Sequence, residues 1–502
     1  MDGLSTELVA LILLQLREIH APSLAAVRLV SRRLYDITTP IRYERLRLTE
    51  RIVSPESEVH MAHGLRHVLA FTRHVEVLED LDPENVRRVL NGMNSLKSVR
   101  WKYHAPRLCS GGYWLPSDVL KPPAQSIYRQ RVRLAIEDLP LEDYTGQNQD
   151  AYLQAIPAPL LVSLKAETRF PLRTPQLDSL KSLLIKSRGL ETFHYNDNGQ
   201  GTRFAFRSGE RLPPIQELEL RSYDWNHTSA EAGAHWDFSR LRTLVLVDVP
   251  LNQFLSTVPA SALSQITSLE CGDFNPGSPA VRRTATALLA SLINQIEELQ
   301  ELKITCQTSE LPVSVLTAHG QTLRSLRFRD HVGFAEDDIW CPTMAIDDLM
   351  SLSQRMPVLE SLEVDLEVRQ YHGYPSKFLS GLCRFPQLKR LTLHVQTLVN
   401  PFDEDVDMDN DKDMEAAEDM CNYLVVEKAR QHQQNGRSGI PGWDQITINV
   451  GGWGPVQVRR LSEAWRERNE QGIFAERCFV FERQPLNSDA EYEMYERANI
   501  RD

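Results

Sequence analysis

A short apolar cassette, Φ-x-x-Φ-x-Φ, recurs along most of the chain and limits the fold more than any other feature. It stands at Leu96-Val99-Trp101, Leu190-Phe193-Tyr195, Ile215-Leu218-Leu220, Leu241-Leu244-Leu246 and Ile266-Leu269-Cys271. It continues at Leu299-Leu302-Ile304, Leu323-Leu326-Phe328, Leu359-Leu362-Val364, Leu388-Leu391-Leu393 and, in weaker form, Trp443-Ile446-Ile448. From Leu190 to Leu388 the starts are 25, 26, 25, 33, 24, 36 and 29 residues apart. A unit this short cannot bury its own apolar face, so successive units must stack. The last two cassette positions alternate as in a strand with one side inward. Between cassettes, Thr284 to Glu298 reads as a helix with Ala287, Leu288, Leu292 and Ile296 inward. Strand then helix, repeated, predicts an α/β solenoid with parallel strands on one face and helices on the other. A generic α/β domain with a parallel sheet is the other arrangement the pattern permits.

At 502 residues the chain has room for such an array plus smaller parts. Lys and Arg number 56 against 68 Asp and Glu, a net charge of -12, which argues against nucleic acid and anionic membranes as partners. The apolar run Leu8 to Leu14 is far shorter than a membrane span and lacks a basic stretch before it, so neither a span nor a secretory signal is expected. The cysteines, Cys109, Cys271, Cys306, Cys341, Cys383, Cys421 and Cys478, are scattered with no CxxC pair. That usage fits a reducing compartment, the cytoplasm or the nucleus.

Residues 1–48 read as a separate helical block. Ser5 suits a helix cap with Glu7 in the first turn, and Leu8, Ile12 and Leu16 follow on one face. Pro22 suits the start of a second helix carrying Leu24, Val27, Val30, Leu34 and Ile37 up to the Thr39-Pro40 break. The ordered string Leu4-Ser5-Thr6-Glu7-Leu8, Ile12, Leu16, Leu24 to Leu34, and Pro40-Ile41-Arg42-Tyr43-Glu44-Arg45-Leu46-Arg47-Leu48 resembles an F-box. It departs from that family at Ser5, where proline is usual, and at Ser31, where a cysteine is frequent. The resemblance implies that Leu4, Leu8, Ile12, Leu16, Leu24, Val27, Val30 and Leu34 divide between the block's own core and a surface for the Skp-type adaptor of a cullin-RING ubiquitin ligase. A plain helical cap on the following repeats is the alternative. The cassettes resemble leucine-rich repeats, which often follow an F-box, although only Asn198 meets the preference for Asn or Cys at the ninth position.

The array is expected over 49–400, with a Pro/Gly-rich insertion at 104–150 holding Tyr113 and Trp114. Residues 401–430 read as an acidic, disordered loop: Asp403 to Asp419 holds ten acidic residues against Lys412 alone, without the glycine and glutamate of a calcium loop. Residues 431–502 read as the last repeat and a cap, with a helix at Val458, Leu461 and Trp465, a strand at Cys478 to Phe481 and a polar tail.

No phosphate loop, dinucleotide fingerprint or nucleophile elbow occurs, and Gly451-Gly452-Trp453-Gly454 reads as a turn. His60, His63 and His67 could share a helical face, but no fourth partner stands at zinc-ligand spacing, so neither cofactor nor metal is expected. Residues between the buried cassette positions would line the strand face: His194, Asn196, Glu219, Arg221, Val245, Val247, Lys303, Thr305, Arg327, Arg329, Glu363, Asp365, Thr392 and His394. Val245 and Val247 are apolar where solvent is expected, and Arg327 and Arg329 face Glu363 and Asp365 as a cross-rung salt network. With the F-box resemblance, this surface implies a non-catalytic substrate receptor of an SCF-type ligase, a target protein held by the repeats. The alternative is a non-ligase repeat scaffold.

Overall fold

The computed structural model describes residues 4–78, 80–103, 119–120, 132–141, 153–154, 156–168, 174–199, 201–272, 278–331, 342–367, 375–395, 412–434, 442–450, 477–483 and 492–497. The chain divides into two units, Met1–Leu218 with Ala234–Asp237, and Glu219–Gly233 with Phe238–Asp502.

The first unit opens with three helices. α1, Thr6–His20, starts at Ser5, whose hydroxyl accepts from the Leu8 amide, with Glu7 in the positive first turn. The expected second helix is two: α2, Ser23–Val27, and α3, Arg32–Tyr43. Ser31 separates them by capping α3, its hydroxyl accepting from the Leu34 amide at 3.2 Å. Nor does Pro40 end α3. It lies inside the helix, which runs on to Tyr43. Val9, Leu13, Leu24 and Leu34 form the core here, with Leu16, Val27, Ile37 and Ile41 packed against it. Arg17 of α1 ties onto the end of α3, donating to Glu44 at 2.8 Å.

Six strands follow in chain order, each parallel to the last: β1, Arg45–Arg47; β2, His74–Leu78; β3, Ser98–Lys102; β4, Arg133–Pro140; β5, Leu161–Glu167; and β6, Thr192–Asn196. β7, Glu217–Arg221, stands at the division between the units. β1, β2, β4 and β5 have no cassette in the sequence reading. β1 holds only Leu46 between two arginines. In β2 the first cassette place belongs to Thr72, fully buried, its hydroxyl donating to the Tyr43 carbonyl. β4 lies inside the expected insertion 104–150, so that stretch carries a rung of its own. β5 has Ala166 where a larger residue would mark the pattern. Tyr113 and Trp114 lie outside the described residues.

In the second unit β8, Thr243–Val247; β9, Ser268–Gly272; β10, Glu301–Cys306; β11, Ser325–Asp330; β12, Ser361–Asp365; β13, Arg390–Val395; and β14, Gln445–Val450, are also parallel and in chain order. Their register aligns the cassettes. Leu244, Leu269, Leu302, Leu326, Leu362, Leu391 and Ile446 make one column, and Leu246, Cys271, Ile304, Phe328, Val364, Leu393 and Ile448 the next. Both columns are buried. At about 1.5 to 3 kcal/mol per buried aliphatic side chain, slipping one strand by a residue would forfeit several kcal/mol, which fixes the register. β15, Arg477–Arg483, and β16, Tyr492–Glu496, end the sheet antiparallel. β16 occupies the expected polar tail, held by the Phe481–Tyr492 ring stack and by the Tyr492 hydroxyl, which accepts from the Trp443 amide. The arrangement in each unit is that of an open, mostly parallel α/β solenoid.

Two helices correct the sequence reading. The helix Pro279–Gln295 buries Ala285, Thr286, Leu289, Leu292 and Ile293, while Ala287 is exposed and Leu288 half-buried. The described part of the acidic stretch is no disordered loop: Lys412–Gln434 is a helix, because Ala417, Met420, Cys421 and Leu424 recur at helical spacing and are buried. The helix expected around Val458, Leu461 and Trp465 and the turn at Gly451 lie outside the described residues. Asn198 adopts a positive φ of 51° after β6, and its side-chain amide donates to the Thr168 carbonyl at 2.7 Å, bracing the turn against the preceding rung.

Candidate functional site

The two surfaces expected to meet partners differ in how far their side chains are already engaged. On the helices, the eight positions named for an adaptor surface separate cleanly. Leu24 and Leu34 are core, and Leu16 and Val27 pack half-buried against it. Leu4, Leu8, Ile12 and Val30 face outward, at 38, 50, 44 and 72 % exposure. The inward face of α1 is therefore set by Val9 and Leu13, one position away from the Leu8-Ile12 stripe. Apolar residues at 8, 9, 11, 12, 13, 14 and 16 allow either rotation, and only packing against α2 and α3 selects one. Three further aliphatic residues that the sequence reading did not single out share the exposure: Leu11 and Ile19 on α1, and Leu29, 87 % exposed, in the turn after α2. The i, i+3, i+4 run Leu8, Leu11, Ile12 was the available signal.

On the strand face of the second unit the charged side chains pair with one another. Lys303 Nζ lies 3.6 Å from Glu270, and Arg327 donates to Glu270 at 3.4 Å and to Glu363 at 3.1 Å. His394 Nε2 stands 2.7 Å from Glu363. Arg329 reaches Asp365 at 3.0 Å, and the other carboxylate oxygen of Asp365 accepts from the Asp330 amide. The expected cross-rung network is present, extends from β9 to β13, and is deeper than expected: Arg329, Asp365 and His394 are buried. Burial pushes the Glu363 carboxyl up, but the His394 hydrogen bond and the charges of Arg327 and Arg329 outweigh it, holding Glu363 far below the usual carboxylate range. Burial and Arg329 hold His394 below its ordinary value in spite of Glu363, so it is neutral at pH 7 and donates through Nε2–H. Its Nδ1 is then a buried acceptor with no hydrogen-bond partner.

Of the remaining strand-face residues Thr305 is buried and the others are more open. Val245 and Val247 are half-buried on β8, and Glu219 pairs with Arg221 at 2.5 Å on β7. In the first unit His194 bonds Glu217 at 2.8 Å.

A cavity of about 220 Å³ in the second unit is lined by Cys383, Leu388, Lys428, Asp444 and Arg483, among others. Lys428 donates to the Leu388 carbonyl and lies 3.6 Å from the centre of the Trp443 ring, and burial lowers its ammonium to about 8. Burial also pushes the Cys383 thiol up to about 12, the opposite of an activated nucleophile. Among the described residues no group of three or more His, Cys, Asp or Glu side chains is placed to hold a metal ion, and no helix is long and apolar enough to cross a membrane. The sequence matches no protein-family model and no curated protein.

Proposed function

We propose that this chain is a substrate-receptor subunit of an SCF-type ubiquitin ligase, its N-terminal helices acting as an F-box that binds a Skp-type adaptor while its leucine-rich-repeat-like strands and helices hold a target protein. The observation that carries the reading is the aliphatic set Leu8, Leu11, Ile12, Leu29 and Val30, exposed on α1 and the turn after α2 beside a three-helix core that is already formed. Aliphatic side chains left in water beside a satisfied core mark an interaction surface. The receptor works by tethering and orientation and has no bond chemistry of its own. Target contacts fall to the half-buried Val245 and Val247 as an apolar centre, with the paired but partly exposed Glu219, Arg221 and Lys303 as charged neighbours.

One observation favours the alternative, a repeat scaffold with a helical cap: α3 packs on the helix Ala62–Phe71, and Tyr43 accepts from Thr72 just before β2. Co-purification of the full chain with a Skp-type adaptor separates the two. Stoichiometric binding, lost in a Leu8→Asp, Ile12→Asp variant whose circular dichroism is unchanged, is expected of the receptor. A folded wild-type chain that fails to bind would leave the scaffold.

A further inference from the structure

The helix Ala62–Phe71 carries His63 and His67 four residues apart, hence on one face, opposite Tyr35 of α3. Their polar atoms converge. Tyr35 Oη lies 3.0 Å from His63 Nε2 and 3.0 Å from His67 Nε2, and the two imidazole nitrogens are 3.0 Å apart. His60, the third histidine expected on this face, ends a separate short helix, Ser57–His60, and takes no part.

Hydrogen bonding fills two edges of this triangle: with both rings neutral, the phenol donates to one Nε2 and accepts from the other Nε2–H, and because an imidazole nitrogen carries either a hydrogen or one lone pair, the Nε2–Nε2 edge has no bond of its own. A cation answers the geometry, because all three lone pairs can then point at one place. For metal–ligand bonds of about 2.0 to 2.1 Å, donors subtending right angles stand about 2.9 Å apart and donors at the tetrahedral angle about 3.4 Å apart. The observed 3.0 Å spacing is that of one face of a coordination shell, with the outer positions left for water or a partner's side chain.

We propose that Tyr35, His63 and His67 bind a divalent transition-metal ion of the kind that imidazole prefers, such as Zn2+ or Cu2+. The surroundings hold the ligands in place. The His67 ring stacks on Phe71 at 5.7 Å and lies 5.5 Å from the Tyr43 ring. The Arg28 guanidinium packs over the Tyr35 ring, 4.7 Å from its centre.

Titrating the full chain with Zn2+ by calorimetry tests this. One equivalent is expected to bind, with affinity falling at least a hundredfold in His63→Ala, at least tenfold in Tyr35→Phe, and unchanged in His60→Ala. His63 is exposed, so its removal costs no core packing. Loaded with Cu2+, the wild type should show a phenolate-to-copper charge-transfer band that Tyr35→Phe lacks. Absence of Zn2+ uptake, or equal uptake by the wild type and a His63→Ala variant with an unchanged unfolding midpoint, would overturn the proposal and leave a hydrogen-bonded trio.

Discussion

The face of α1 and α2 exposes aliphatic side chains around a finished core, whereas the face of β9–β13 draws charged side chains into pairs and buries the strongest of them. The sequence offered both faces as partner surfaces and also a salt network around Arg327 and Arg329; the depth of that network separates the two. The difference lies in what each side chain already has. Arg329 and Asp365 satisfy each other at 3.0 Å and have little left to offer a partner, while Leu8 and Leu29 touch mostly water. A partner surface is better read from unmet interactions than from residue type.

The comparison can be broken most directly at Arg329. Truncation to Ala strands the Asp365 carboxylate in the interior and should cost about 3 to 5 kcal/mol, read from the urea midpoint. An Arg329→Met, Asp365→Leu pair should recover most of that loss. If Arg329→Ala unfolds like the wild type, the ladder is not buried and its residues return to the partner surface. Leu13→Ala, in the helical core, should cost about 2 to 5 kcal/mol, whereas Leu29→Ser, on the exposed face, should stay within about 0.5 kcal/mol. Equal losses at the two sites would erase the distinction between core and exposed face.

Glu363 offers a pH test. Its carboxyl titrates lower in the folded chain than in the unfolded one, so its contribution is present above the unfolded value and is lost as pH falls through the folded one. Glu363→Gln should therefore cost on the order of 1 to 3 kcal/mol at pH 7 and make the decline in stability below about pH 5 shallower, as thermal melts across pH would record. An unchanged acid limb would mean that the ladder does not hold this carboxylate ionised. Smallest is the cap between α2 and α3. Ser31→Ala removes an acceptor for the Leu34 amide and should lower stability by about 1 kcal/mol.

The sequence alone determined the rungs whose cassettes are complete. Leu244 and Leu246 through Ile446 and Ile448 read correctly because strand alternation and burial impose the same period on the residues, and stacking repeats that demand at every turn. It also determined the cap at Ser5 and the salt network around Arg327. Rungs with one polar or small residue in a cassette place, Thr72 before β2 and Ala166 in β5, were hidden because their burial is secured by a hydrogen bond or by neighbours that the linear pattern does not show. Only the tertiary structure decided which face of α1 turns inward, since an aliphatic helix has several equivalent faces until another helix packs on one. It alone decided that Lys412–Gln434 is a helix, its buried stripe outweighing the charge of the acidic run. It alone brought Tyr35 to His63 and His67, because a site assembled from two helices is a fact of packing, which no spacing along one chain segment encodes.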